Sequence, residues 1–149
     1  MGRRRRGGFD SQFYYKWLNK ALCDLQCARL LLTYGGDVYN IAFHCQQAIE
    51  KALKGYLLFR TGRHYDGHNL TFLCRQAITL DAPVFSEYLT DSAVLNELYI
   101  ETRYPTDLPF SFDEQEIQHI LDMAERMFAA IRRELYKNQK PPTLEDELL

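Results

Sequence analysis

Between about residues 38 and 61, Ile41, Cys45, Ala48, Ile49, Ala52, Leu53, Tyr56 and Leu57 recur at three- and four-residue steps. That spacing lines one side of an α-helix and does not fit the two-residue alternation of a strand. A helix with such a continuous apolar stripe must bury it against other elements. No other segment of the chain shows sustained strand alternation, so those elements are expected to be helices. Asp37 is placed to cap this helix and Gly62 to end it, since glycine takes the left-handed conformation cheaply.

Four further segments carry helical signals. Residues 10–34 place Trp17, Leu18, Ala21, Leu22, Leu25, Ala28 and Leu32 on one face, and Gly35-Gly36 stops the helix. Asn69 caps a short third helix carrying Leu70, Leu73, Cys74 and Ala77, which Asp81-Ala82-Pro83 breaks. A fourth spans about 85–102, with Phe85, Tyr88, Leu89, Leu95 and Tyr99 inward. Pro105 and Pro109 keep the following stretch irregular. Ser111 and Glu114 have capping-box spacing. The fifth helix carries Ile117, Ile120, Leu121, Ala124, Met127, Phe128, Ile131 and Leu135. Short connections between amphipathic helices predict an all-α fold, an up-and-down antiparallel bundle of four to five helices. The organisation expected is a basic arm over 1–9, one helical domain over 10–137 and a tail over 138–149 containing Pro141-Pro142 and an acidic end.

With 149 residues, 46% hydrophobic and 26% charged, the chain can bury a core without disulfide staples. The formal net charge is −2 even though Arg3, Arg4, Arg5 and Arg6 stand together, so the body is acidic. Such a balance does not suit a dedicated duplex-binding protein. The arginine run reads as a flexible basic arm able to touch phosphates. No apolar signal region follows it, and no stretch approaches the roughly 20 apolar residues that span a membrane. Cys23, Cys27, Cys45 and Cys74 therefore read as reduced, mostly buried thiols of a cytoplasmic protein.

A second stripe of the 38–61 helix is polar: Asn40, His44, Gln47, Lys51 and Lys54 share one face. Lysines supply charge, and the imidazole and amide supply directional hydrogen bonds, so this face suits a phosphate or a nucleotide. It suits equally a solvated surface or the polar part of a dimer interface. Glu50 and Lys54, four apart, form an ion pair within the helix on either reading. At Arg103-Tyr104-Pro105 a guanidinium can grip phosphate oxygens while a ring stacks on a base; the same residues can simply end a helix. Neither Cys23 and Cys27 with His44 or Cys45, nor His64 with His68, has the spacing of a zinc site. No metal or cofactor is expected. Nothing resembles a Walker loop, a dinucleotide fingerprint or a hydrolase elbow.

Several of these residues occur in a known combination. Asp24-Leu25 lies in the first helix, and Phe43-His44-Cys45-Gln46-Gln47-Ala48-Ile49-Glu50-Lys51-Ala52-Leu53-Lys54 runs through the second. His68-Asn69-Leu70 opens the third, and Glu101-Thr102-Arg103-Tyr104-Pro105 closes the fourth. Together, over roughly 10–135, they resemble the small prokaryotic HEPN proteins. The resemblance implies a helical bundle that dimerises, works beside a small nucleotidyltransferase in toxin–antitoxin-like pairs, and binds nucleotide or RNA. Several such proteins are metal-independent ribonucleases. These carry an arginine, four to six residues and a histidine late in the domain, where the histidine moves the 2′-hydroxyl proton and the arginine stabilises phosphate charge. Arg103 stands about where that arginine belongs, but no histidine stands among the seven residues after it. The spacing recurs only at Arg63 and His68, in the loop after the second helix.

The expectation is a non-catalytic nucleotide- or RNA-binding module, a homodimer using His44, Gln47, Lys51, Lys54, Arg103 and Tyr104. A 13% aromatic content, more than a small bundle needs for its own core, adds to the dimer expectation. The alternatives are a ribonuclease using Arg63 and His68, or Arg103 with a histidine from elsewhere in the fold, and a purely structural helical adaptor.

Overall fold

The computed structural model describes residues 10–103, 105 and 113–142, with the side chains of 99–103 left undescribed. Five α-helices carry the fold: α1 (Tyr14–Tyr34), α2 (Val38–Thr61), α3 (Leu70–Ile78), α4 (Leu89–Arg103) and α5 (Glu114–Tyr136). A short 3₁₀ helix, Pro83–Tyr88, leads into α4. There is no strand among the described residues.

Helix ends follow local chemistry. The Asp37 side chain accepts from Asn40 N, and the Asn69 side chain accepts from Phe72 N. Gly35 and Gly62 close α1 and α2 at φ 81° and 72°, a left-handed turn that costs glycine little. α5 is capped by Asp113, which accepts from Glu116 N, two residues later than a box from Ser111 to Glu114 would place it. Ser111 itself lies outside the described residues. α1 begins at Tyr14 rather than Asp10, with no side-chain cap at Phe13. The fourth segment opens as a 3₁₀ turn because Pro83, at its first position, follows a break at Asp81, whose φ is 61°.

The four long helices run up, down, up, down. Along the α1–α2 pair, Tyr14 meets Phe59 and Asp24 meets Lys51. On the other side of α1, Tyr14 meets Tyr136 and Arg29 bonds Glu125 of α5. The loop after α2 doubles back far enough for His68 to reach Glu50, so α3 lies along α2 in the same sense. α4 then returns antiparallel to α3: Leu70 N donates to Asn96, and Cys74 Sγ donates to Phe85 O.

One core fills the centre. Ile41, Ile49, Leu53, Tyr56 and Leu57 of α2 meet Leu18 and Leu25 of α1, Leu73 of α3, Leu95 of α4 and Ile117, Leu121 and Met127 of α5. The α2 stripe is thus buried on several sides. Two expectations of burial fail. Leu22, placed on the inward face of α1, is 43% exposed, because it lies at the outer edge of the α1–α5 seam. Only Cys45 and Cys74 are buried thiols; Cys23 and Cys27 are exposed on α1.

Candidate ligand groove and its polar network

The polar stripe of α2 is held by two buried carboxylates, Asp24 from α1 and Glu50 from α2 itself. Asp24 of α1 accepts from Lys51 Nζ at 2.6 Å through Oδ2, and His44 Nδ1 stands 2.9 Å from Oδ1. A carboxylate only accepts, so His44 donates from Nδ1 and its Nε2 is the acceptor when the ring is neutral. Glu50 organises the second group. Its Oε2 accepts from Lys54 Nζ at 3.1 Å, and its Oε1 accepts from His68 Nδ1 at 2.9 Å and from Gln46 Nε2 at 3.3 Å. Gln47 Nε2 donates in turn to Gln46 Oε1 at 2.8 Å. The two groups lie along the α1–α2 seam and beneath the loop leading to α3.

Burial separates them. The side chains of Glu50 and Lys54 are each 7% exposed, whereas Lys51 and His44 are each 31% exposed. Lys54 is therefore a neutralised interior charge, and its ammonium stabilises Glu50. Lys51 keeps an outward face and lines a groove of about 580 Å³ with Asp10, Ser11, Lys16, Trp17, Asn19, Lys20 and Cys23. Three lysines and one indole thus surround a single concavity. Trp17 is fixed from behind: its Nε1 donates to Ser11 O at 3.0 Å, and His64 packs against it with ring centroids 6.0 Å apart.

The sequence-derived candidates fall into four sets. His44 and Lys51 meet at Asp24. Gln47 and Lys54 belong to the Glu50 network. Arg63 and His68 have separate partners: Arg63 lies over the Tyr65 ring at 5.6 Å, and His68 goes to Glu50. Arg103 ends α4 and its side chain lies outside the described residues, as does Tyr104 altogether. Sequence reasoning missed the organising role of Asp24 and the groove lysines, Lys16 and Lys20. Asp24 carries a signal, since it sits three residues after Ala21 and four before Ala28, inside an apolar stripe where a lone carboxylate needs a partner. Among the described residues there is no group of three or more His, Cys, Asp or Glu side chains that could hold a metal. None of their helices is long and apolar enough to cross a membrane.

An all-α up-and-down bundle with a polar seam between its first two helices defines the class. The chain belongs to the HEPN family, whose HEPN domain profile matches residues 14–134. Its structure is similar to that of TT1696 from Thermus thermophilus, at a TM-score of 0.71 and 31% identity, over 80% of this chain and 96% of that one. The fold is also that of ST0689, an archaeal HEPN homologue, at a TM-score of 0.65 and 24% identity, over 83% and 98% of the two chains. Among curated proteins, no relative matches significantly.

Proposed function

We infer that this HEPN chain is a non-catalytic binding module that takes a nucleotide, or the phosphorylated end of an RNA, in the groove beside Lys51. The observation that carries this reading is the convergence of Lys16, Lys20 and Lys51 with Trp17 around one concavity. Lysines attract phosphate as point charges, and an indole face accepts a base by stacking. Asp24 holds the Lys51 ammonium in place before a ligand arrives, which lowers the ordering cost of binding. The resemblance that names nucleotidyltransferase partners supports a role as the partner half of such a pair, in the cytoplasm and as a homodimer.

Trp17 is the chain's one tryptophan, so its fluorescence reports on the groove. Titration with ATP and with a short 5′-phosphorylated RNA is expected to quench it saturably. An emission unchanged up to millimolar ligand, with no heat of binding, leaves the structural adaptor as the surviving reading. The Arg63–His68 form of the ribonuclease reading is less favoured because the described contacts take Arg63 to Tyr65 and His68 to Glu50. Labelled RNA cut by the purified protein in the presence of chelator would reinstate it.

A further inference from the structure

We propose that the acidic segment Leu144-Glu145-Asp146-Glu147-Leu148-Leu149 of the same chain docks in the Lys16–Lys20–Lys51 groove and competes with its phosphate-bearing ligand. This rests on the groove being the ligand site. The segment lies beyond the described residues, and its point of departure is fixed by the fold. Tyr136, the last residue of α5, packs against Tyr14, the first residue of α1, with ring centroids 6.3 Å apart. One further turn is tied down, since Gln139 Nε2 donates to Leu135 O at 3.1 Å. The chain therefore leaves the bundle beside the end of α1 that lines the groove.

The reach is sufficient. Glu145 follows Gln139, the last residue tied to α5, by six residues, which span up to about 20 Å when extended. Cys23, at the far side of the groove, follows Tyr14 by nine residues along a helix, roughly 14 Å away. The charges are complementary: three consecutive carboxylates meet Lys16, Lys20 and Lys51, the last already bonded to Asp24, and among the described residues the only acidic one lining the groove is Asp10. The flanking Leu144 and Leu148 suit the indole of Trp17. A tethered segment meets its site at an effective concentration of order millimolar, so even a weak contact is populated.

Cys23 provides a test that needs no ligand. In full-length protein carrying Cys27→Ser and Leu148→Cys, glutathione disulfide oxidises the two thiols to an intramolecular disulfide and is itself reduced to two glutathiones. Cys45 and Cys74 are buried and do not compete. The expected cross-link forms about tenfold faster than in a chain that keeps Cys27 and carries Cys23→Ser with Leu148→Cys, because only Cys23 lines the groove. It slows several-fold in Glu145→Gln, Asp146→Asn, Glu147→Gln protein, in Lys16→Ala, Lys20→Ala protein, and at roughly 0.5 M salt. Equal rates at Cys23 and Cys27, indifference to these charges, or a purely intermolecular product each overturns the proposal. So does a cross-link lost on replacing the arginines at 3–6 and retained without Lys16 and Lys20, because the arm would then be the docking site. Deleting 143–149 is expected to tighten ATP binding several-fold; unchanged affinity in a chain that does bind ATP overturns the competition. If neither chain binds ATP, the ligand reading fails, and the cross-link still decides whether the segment docks.

Discussion

Lys51 and Lys54 lie one turn apart on α2, and their surroundings give them opposite roles. Lys54 and Glu50 form a buried pair, so Lys54→Ala removes the ammonium that balances an interior carboxylate and leaves Glu50 with His68 and Gln46. The expected loss is about 3–5 kcal/mol, or roughly 10 °C in thermal unfolding for a chain of this size. Lys51 is half-exposed and shares Asp24 with His44. Lys51→Ala is expected to cost only about 1–2 kcal/mol of stability while weakening ATP binding roughly tenfold, as loss of one charge-assisted hydrogen bond does. Calorimetry on both variants checks the contrast; a Lys54→Ala protein as stable as its parent would contradict the assignment. The sequence places both lysines on one stripe, and periodicity alone cannot tell which is covered by the loop leading to α3. The thiols separate on the same principle. Burial pushes the Cys45 thiol up to about 12, with Glu125 adding to the effect, so it stays protonated at neutral pH. A disulfide reagent at pH 8 is expected to modify Cys23 and Cys27 in native protein, and Cys45 and Cys74 only after unfolding.

At the scale of elements, the α1–α2 contact depends on a residue with no side chain. A Cβ on Gly55 would lie 2.6 Å from Leu18 Cδ2, 2.9 Å from Trp17 Cβ and 3.1 Å from Tyr14 O. The last contact is backbone, so rotating a side chain cannot relieve it. Gly55→Ala is expected to destabilise by about 1–3 kcal/mol through overpacking, although alanine is the better helix former by about 1 kcal/mol. Urea denaturation reads the sign, and a more stable variant would show that the helices can part at little cost. The same variant should shift Trp17 and reduce ligand affinity. The α2 stripe, the Asp37 and Asn69 caps and the two glycine ends were all legible because each is local chemistry at fixed spacing. The reversal of the loop after α2 was not legible, since it depends on His68 meeting Glu50 eighteen positions away. The groove was half legible for the same reason. Lys51 stood on a readable stripe of α2, whereas Lys16, Trp17 and Lys20 join it only through the antiparallel register of α1, which Gly55 permits. The start of the fourth segment misled because its apolar spacing is helical, yet Pro83 and the left-handed Asp81 impose a 3₁₀ turn first.

For the whole molecule, the outward edge of α1 is the face on which the proposed homodimer would form. Leu22 and Leu30, eight residues apart and 43% and 57% exposed, stand on one side of the helix with Gln26 between them. With Leu25 and Phe128 they line a second groove of about 520 Å³ at the seam with α5. Arg29, bonded to Glu125 and 3.7 Å from Asp122, forms a polar rim beside it. An apolar centre with a charged rim is the usual anatomy of a protein interface, and a two-fold axis through such a strip brings like residues together. The lysine groove lies elsewhere, on the α1–α2 side, so each copy would keep its ligand site open. Leu22→Asp with Leu30→Glu is expected to convert a dimer into a monomer in sedimentation at tens of micromolar. Helical circular dichroism should be unchanged, because neither side chain belongs to the buried core. ATP titration of the monomeric variant should match the parent within about twofold if the two surfaces are independent. A dimer that survives both substitutions would move the interface to another face, and a parent that sediments as a monomer at that concentration would remove the dimer altogether.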